Sequence, residues 1–432
     1  MLEFKQIINK IKTIEIAKVF SLNAISTLIR MLTGLVSVKV VASIIGPAGV
    51  ALLGQLNNIS TILLGLANGG ISTGVTKYVA EYNNEVSTVK KYISNAFRIT
   101  LVCTLAIAIL LILACRTISK LIMLSEEYWY VFVVFGFTLI CYSLNALIIA
   151  ILNGYKHFNR YVIVNICGTI FGLIFTLCLV SVWGLPGALI NAVTFQSVMI
   201  FVTIWLLRKE PWLKKEYFVD KFDLKIFKQY LHYSLMTIVT LAMLPVSQML
   251  LRGYVISEIS IADAGCWEGI NRISNMYLSI ITTSLAVYVL PRFSEIQDPR
   301  TLRYELKRNY MFLIPMLLCA MAGIFLLQNV IVMLLFTVEF MPMTKLFGWQ
   351  LLGDFFKIAS WLLSFLMVAK AQTVRYLVTE ISFNFIYVFC AFAFLRLNGI
   401  VGLTQGYLVT YVLYFLVMIW LYRNIVFMRS PN

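Results

Sequence analysis

The sequence predicts an all-α polytopic membrane protein with about twelve transmembrane helices in two pseudo-symmetric six-helix lobes. Three observations carry that expectation. The 432 residues are 61% hydrophobic and only 12% charged, against roughly 25% charged in a soluble domain. Apolar blocks close to the roughly 20 residues needed to cross a bilayer recur along the whole chain. Lys and Arg gather on alternate connections between those blocks.

Taken in order, the blocks place spans at 17–45, 48–80, 92–115, 128–152, 161–181, 184–207, 229–256, 263–290, 308–327, 346–369, 374–396 and 399–422. Ahead of them, MLEFKQIINKIKTIEIAKVF intersperses lysines and lacks a signal peptide's apolar core and cleavage site; it reads as a short amphipathic lead-in helix. Gly46-Pro47 turns the chain between the first two spans. The one long polar connection, RKEPWLKKEYFVDKFDLKIFK, divides the chain into an N-terminal lobe 1–207, a cytoplasmic linker 208–228 and a C-terminal lobe 229–432. Its FDLKIFKQY portion reads as an amphipathic helix on the anionic inner leaflet. Ala48-Gly49 opens the second span, followed by Gln55, Asn57 and Asn58; half a chain later Ala264-Gly265 opens the eighth, followed by Asn271, Ser274 and Asn275. Six spans per half make the repeat parallel, with a pathway expected at the interface of the halves.

The net charge of +16 is distributed by side. Lys90, Lys91, Lys156, Arg160, the cluster from Arg208 to Lys228, then Arg292, Arg300, Arg303, Lys307, Arg308, Lys370, Arg375 and Arg423 fall on one set of connections. Arg116, Lys120, Arg252, Lys345 and Arg396 are assigned to the other. That asymmetry puts both termini in the cytoplasm and leaves no basic face for nucleic acid. The eight cysteines are scattered through apolar segments without CxxC spacing, and His157 and His232 are far apart; no metal site, disulfide framework or cofactor motif is readable. A P-loop, a hydrolytic triad and paired loop carboxylates are all missing from the sequence, so no enzyme is predicted. Energy must come from a gradient or from the cargo.

Polar residues inside the spans carry the functional signal, because lipid offers them no partner. In the first span Ser26, Arg30, Thr33 and Ser37 recur at three- and four-residue steps and share one helical face. Lys39 lies nine residues past Arg30, nearly opposite, unless the helix bends near Gly34. Asn58, Thr61, Gly65, Asn68, Gly69, Ser72 and Thr76 line one side of the second span, as a hydrated wall or as small-residue packing. Lys77, near its cytoplasmic end, is a ligand or a topology signal. The eighth span places Glu268, Arg272, Asn275, Ser279 and Thr282 on one face, the first two as an i, i+4 ion pair. The seventh adds Thr240, Ser247, Gln248 and Arg252 around Pro245. Asp354 and Lys357 stand at i, i+3 in the tenth span, and Glu380 a turn or two beyond Arg375 in the eleventh. Each acid either pairs locally or titrates. Spans 1, 2, 7 and 8 hold most of this polarity, and its cationic bias suits an anionic cargo, most directly a phosphate or diphosphate held by Arg.

GPAGVALLGQLNN, GGISTGVTKYVAEY, SLAVYVLPRFSEI, FGWQLLGDFFK and MVAKAQTVRYLVTEISF closely resemble the Wzx-type flippases for polyprenyl-diphosphate-linked oligosaccharides. These are the polysaccharide transporter branch of the multidrug/oligosaccharidyl-lipid/polysaccharide exporter superfamily. The resemblance runs from about residue 20 to the last span. It implies two lobes forming a V, and export of undecaprenyl-diphosphate-linked oligosaccharide from the cytoplasmic to the periplasmic leaflet of a bacterial inner membrane. By position it carries over Arg30, Lys39, Lys77, Asp354 and Lys357. Arg30, Lys39, Lys77 and Arg272 are the expected diphosphate ligands, with Asn58 and Asn275 for the sugars; Glu268, Asp354, Lys357 and Glu380 are the coupling or gating candidates, for H+ or Na+. A polysaccharide polymerase with its chain-length machinery is the implied protein partner. The O-antigen flippases and the enterobacterial common antigen lipid III flippases are the two nearest subfamilies, the sequence leaning to the first. A cation-coupled multidrug exporter is the distant alternative, and it calls for an acidic cavity.

Overall fold

The computed structural model describes the backbone at residues 2–370 and 372–426, and side chains from residue 26 onward except 158, 232, 233, 236, 284, 286–288, 290 and 291. The expected amphipathic face of the lead-in segment lies outside the described side chains. Among the described residues fourteen α-helices follow one another: α1 Leu2–Ala67, α2 Ser72–Glu81, α3 Val86–Leu113, α4 Cys115–Met123, α5 Trp129–Gly154, α6 Phe158–Leu207, α7 Leu224–Glu258, α8 Ile261–Glu295, α9 Pro299–Leu326, α10 Gln328–Leu335, α11 Thr344–Ala369, α12 Thr373–Asn398, α13 Val401–Leu421 and α14 Arg423–Val426. Among the described residues there is no strand.

Two of these helices are really pairs. Inside α1 the backbone leaves helical geometry at Gly46 (φ +62°), and inside α6 at Gly184 (φ +58°). Only glycine takes that conformation without steric cost, and Pro47 and Pro186, just beyond, withhold the amide that a continuous helix would use. Among the described residues nine helices are long and apolar enough to cross a membrane, α1 and α6 included. In α8 the charges Asp263, Glu268 and Arg272 lie in the first half, and the sequence from 273 to 290 carries none. Splitting α1 and α6 at their breaks and adding α8 gives twelve crossings. The chain is a multi-pass, all-helical membrane protein.

The chain forms two compact units, one of residues 1–44 and 56–242, the other of residues 45–55 and 243–432. They part elsewhere than at the polar linker, and the reason lies in what the linker touches. Residues 208–230 are packed onto α3 and its neighbours within the first unit. Ser94 Oγ donates to the Phe218 and Asp220 carbonyls and accepts from the Asp220 amide at 2.8 Å; Asn95 Oδ1 accepts from the Asp223 amide at 2.9 Å. Arg98 also donates to the Asp220 carbonyl. Trp212 is buried and stacks on Tyr155, and buried Glu210 meets Arg160 and His157. The expected separate amphipathic helix is instead the start of α7, which runs unbroken from Leu224 and is anchored by Tyr230 and Gln229 on Tyr92. The polar side chains of α3 thus satisfy backbone groups that an open linker would leave to water.

Within the second unit, one apolar core joins α8, α9, α11 and α13 through Leu278, Val289, Leu302, Leu313, Ile358, Leu362 and Met418. Asp298 caps α9, accepting from Thr301 Oγ1 and the Thr301 amide, bonds that hold its carboxyl below the usual carboxylate range.

Candidate functional site

Among the described residues, polarity inside the spans collects around a cavity in the first unit and in two clusters in the second. In the first unit a cavity of about 420 Å³ is lined by α1, α5 and both segments of α6. Arg30, Thr33, Gly34 and Ser37 supply the α1 wall, as their spacing predicts. Asn145 comes from α5, Asn165 and Thr169 from the first segment of α6, and Phe195, Gln196 and Thr203 from the second. Arg30 forms no ion pair among the described residues, and its side chain is exposed. Among the described residues no carboxylate lines the cavity. Asn145 Oδ1 and Thr203 Oγ1, on residues 1% and 0% exposed, have no hydrogen-bond partner, although a buried polar atom left so costs about 1–3 kcal/mol. Two glycines give the cavity its floor. A Cβ on Gly172 would meet the Phe195 ring at 2.7 Å, and one on Gly168 would meet Met199 at 3.2 Å.

Other sites expected in this unit lie apart from the cavity lining. Lys39 is half-buried; Lys77 is exposed on α2 with its ammonium 5.0 Å from the centroid of Tyr78. Asn58 is half-buried with its Nδ2 unpartnered. Within the first unit the neighbours of Arg30 in the cavity are on α5 and α6, which periodicity in the first span alone cannot point to.

The second unit holds a charge network. Glu268 and Arg272 on α8 pair as i, i+4, with Nε to Oε1 at 2.9 Å. The other carboxylate oxygen takes Arg252 of α7 at 2.5 Å, and Arg252 Nη1 donates to Gln55 Oε1 at 3.2 Å. Arg252 has no exposed surface and lies 5.4 Å from the Trp267 ring centroid. It is a core residue of a span, not the connection cation that its charge suggests. Gly54 leaves room for the pair, since a Cβ there would sit 2.7 Å from the Glu268 carboxyl carbon. Asn275, expected on the same face, is exposed.

Asp354 is fully buried on α11 and accepts from Ser274 (2.6 Å) and Tyr277 on α8, from Tyr407 (2.7 Å) on α13, and from Gln350 (3.4 Å) one turn back. Lys357 does not pair with it. Its ammonium lies over Trp361, Tyr407 and Tyr411, 5.1–5.4 Å from the three ring centroids, a cation–π arrangement that stabilises by about 2 kcal/mol or more when desolvated. Glu380 does not pair with Arg375 either; it faces Asn384, while Arg375 donates to Gln372. Neither acid–base pairing read from sequence spacing forms: Asp354 finds its donors mainly on α8 and α13, while Glu380 and Arg375 meet amide side chains of α12 and its N-cap. The tyrosines of α13, at 407, 411 and 414, were the signal for this cluster: their three- and four-residue spacing lays them along one face.

A many-span bundle with a cation at a polar cavity and a buried acid hub defines the class, a membrane carrier rather than a catalyst. The comparisons agree. The fold matches an inward-facing multidrug resistance MATE family transporter of the MOP superfamily with a TM-score of 0.76, 15% identity, and 94% and 96% of the two chains covered. It matches the lipid II flippase MurJ with a TM-score of 0.73, 16% identity, and 95% and 93% covered. The lipid III flippase of Escherichia coli K12 is 28% identical over 401 residues, 93% of this chain and 96% of that one, and the lipid III flippase of Shigella flexneri gives the same figures. Residues 16–297 match the family described as polysaccharide biosynthesis protein, and the chain belongs to that family.

Proposed function

We propose that this protein is a flippase that carries undecaprenyl-diphosphate-linked O-antigen units from the cytoplasmic to the periplasmic leaflet of a bacterial inner membrane. Both termini face the cytoplasm, and an H+ or Na+ gradient drives alternating access of the two lobes. The observation that carries this reading is Arg30, a guanidinium on a membrane helix with no ion pair among the described residues, beside a polar cavity whose described lining holds no carboxylate. An intramembrane cation without an internal counter-ion is costly to keep, and a diphosphate cargo supplies the missing charge through paired N–H donors. Family membership and the lipid III flippase relatives support the same reading. Lys39, Lys77, Arg272, Asn58 and Asn275 are further candidate ligands, and Glu268, Asp354, Lys357 and Glu380 candidate coupling or gating groups. The cavity's chemistry argues against a carrier of cationic drugs.

Arg30→Ala should abolish glycan export while leaving the amount of folded protein unchanged; export at the wild-type rate would refute the assignment. Lipid III is the second reading, favoured by the 28% identity that spans nearly the whole chain. Deleting the gene and identifying the oligosaccharide that accumulates on the inner leaflet separates the two. A serotype-specific unit means O-antigen, and the common-antigen trisaccharide means lipid III.

A further inference from the structure

We infer that the cavity in the first unit is a subsite for a single sugar next to the diphosphate, with Asn145, Gln196 and Thr203 as the residues that read its hydroxyl groups. The inference rests on the flippase reading and gives it a specificity site. Three observations lead there. First, the volume of about 420 Å³ falls near the small end of the roughly 300–1,000 Å³ of small-molecule sites, room for one sugar phosphate and not for a whole oligosaccharide. Second, the lining combines one cation with amides and hydroxyls, which donate and accept alike. That is the inventory a hydroxyl-rich ligand with one anionic end requires. Third, the unpartnered Oδ1 of Asn145 and Oγ1 of Thr203 are groups that folding has buried without giving them a hydrogen bond. Both residues line the cavity, and a ligand hydroxyl there would supply the partner each atom lacks, since buried polar atoms are nearly always paired. Gly172 adds a shape requirement by letting the Phe195 ring lie back against α6, where a side chain at 172 would drive it into the cavity.

An orphan atom makes the proposal separable from a structural role. If Asn145 only supported the fold, Asn145→Leu would unfold the protein more easily. If its oxygen waits for a sugar, removing it relieves an unpaired polar group, and the thermal midpoint stays or rises while sugar recognition falls. The experiment measures binding of two probes to the purified full chain in lipid nanodiscs: a prenyl diphosphate and the same prenyl diphosphate bearing one N-acetylhexosamine. Wild type should bind the glycosylated probe about tenfold more tightly, one good hydrogen-bonded contact being enough for that ratio. Asn145→Leu, Gln196→Leu and the near-isosteric Thr203→Val should each shrink that ratio toward one while binding the bare diphosphate as wild type does. Gly172→Val should do the same by filling the cavity. Unchanged discrimination in all four variants overturns the sugar subsite, and the flippase reading survives if Arg30→Ala still weakens both probes. Should wild type bind neither probe, the flippase reading fails, and the subsite with it.

Discussion

Arg252 shows what a charge inside a membrane protein demands. With no exposed surface, it is tolerable only because Glu268 and Gln55 meet its guanidinium, and Glu268 in turn is shared with Arg272. One acid between two cations makes the three positions unequal. Glu268→Gln strands Arg252 and leaves it facing a second cation, so it should cost about 3–5 kcal/mol, the range for breaking a buried pair by removing one partner. Arg252→Met leaves Glu268 still paired with Arg272 and should cost less, and Arg272→Met, at the half-buried end, least. Thermal unfolding of the purified variants gives the order; Glu268→Gln melting no lower than Arg272→Met would show that the network is not structural. The Glu268–Arg272 pair is legible in the sequence because both residues share one helix face. Arg252 is not, since its partners are 16 and 197 residues away and only packing brings them together. Lys357 was legible as an intramembrane cation, but its i, i+3 neighbour Asp354 gave the wrong partner. The helix brings the two close, yet hydroxyl donors from α8 and α13 satisfy the acid, and aromatic rings receive the ammonium.

At the scale of elements, helix identity followed from apolar length and helix ends from Gly and Pro, so the break at Gly46-Pro47 was readable. The Gly184 break sits close to the predicted boundary between spans 5 and 6. Contact between elements is less readable. Ala264-Gly265 repeats Ala48-Gly49 in the sequence, but nothing in that pattern says what the glycine does. In the fold Gly265 lets α8 cross the start of the helix after Gly46, where an added Cβ would lie 1.9 Å from the Pro47 carbonyl oxygen and 2.4 Å from its carbonyl carbon. Backbone atoms cannot turn away as a side chain can. Gly265→Ala should therefore destabilise at the upper end of the roughly 1–3 kcal/mol seen for overpacking. Gly323→Ala, where an added Cβ meets nothing within 4 Å, should leave the melting temperature unchanged or raise it slightly, because alanine is the better helix former. Similar melting of the two variants would mean that α8 and the Pro47 turn do not pack this closely.

At the scale of the whole molecule, the sequence divides at a polar linker because composition changes there, while compact units divide where packing does. The polar groups of 208–228 read as solvent-facing, yet Ser94, Asn95 and Arg98 on α3 had already supplied partners for them. Nothing in the composition of α3 marks those three as linker ligands. The consequence for mechanism is direct. If the lobes rock during transport, residues 208–230 travel with the first unit as part of its structure, and the chain must flex beyond them, closer to the unit boundary at 242–243. A covalent staple tests that. On a background lacking the eight native cysteines, Ser94→Cys and Asp220→Cys place thiols where Ser94 Oγ now sits 2.8 Å from the Asp220 amide. Oxidation should close the disulfide, and glycan export should continue at close to the rate of the reduced form. Export that stops on oxidation and returns with reductant would mean that the linker lifts off α3 in each cycle, making it the moving hinge after all. The staple leaves the lining of the Arg30 cavity untouched, so loss of export would report on motion and not on cargo binding.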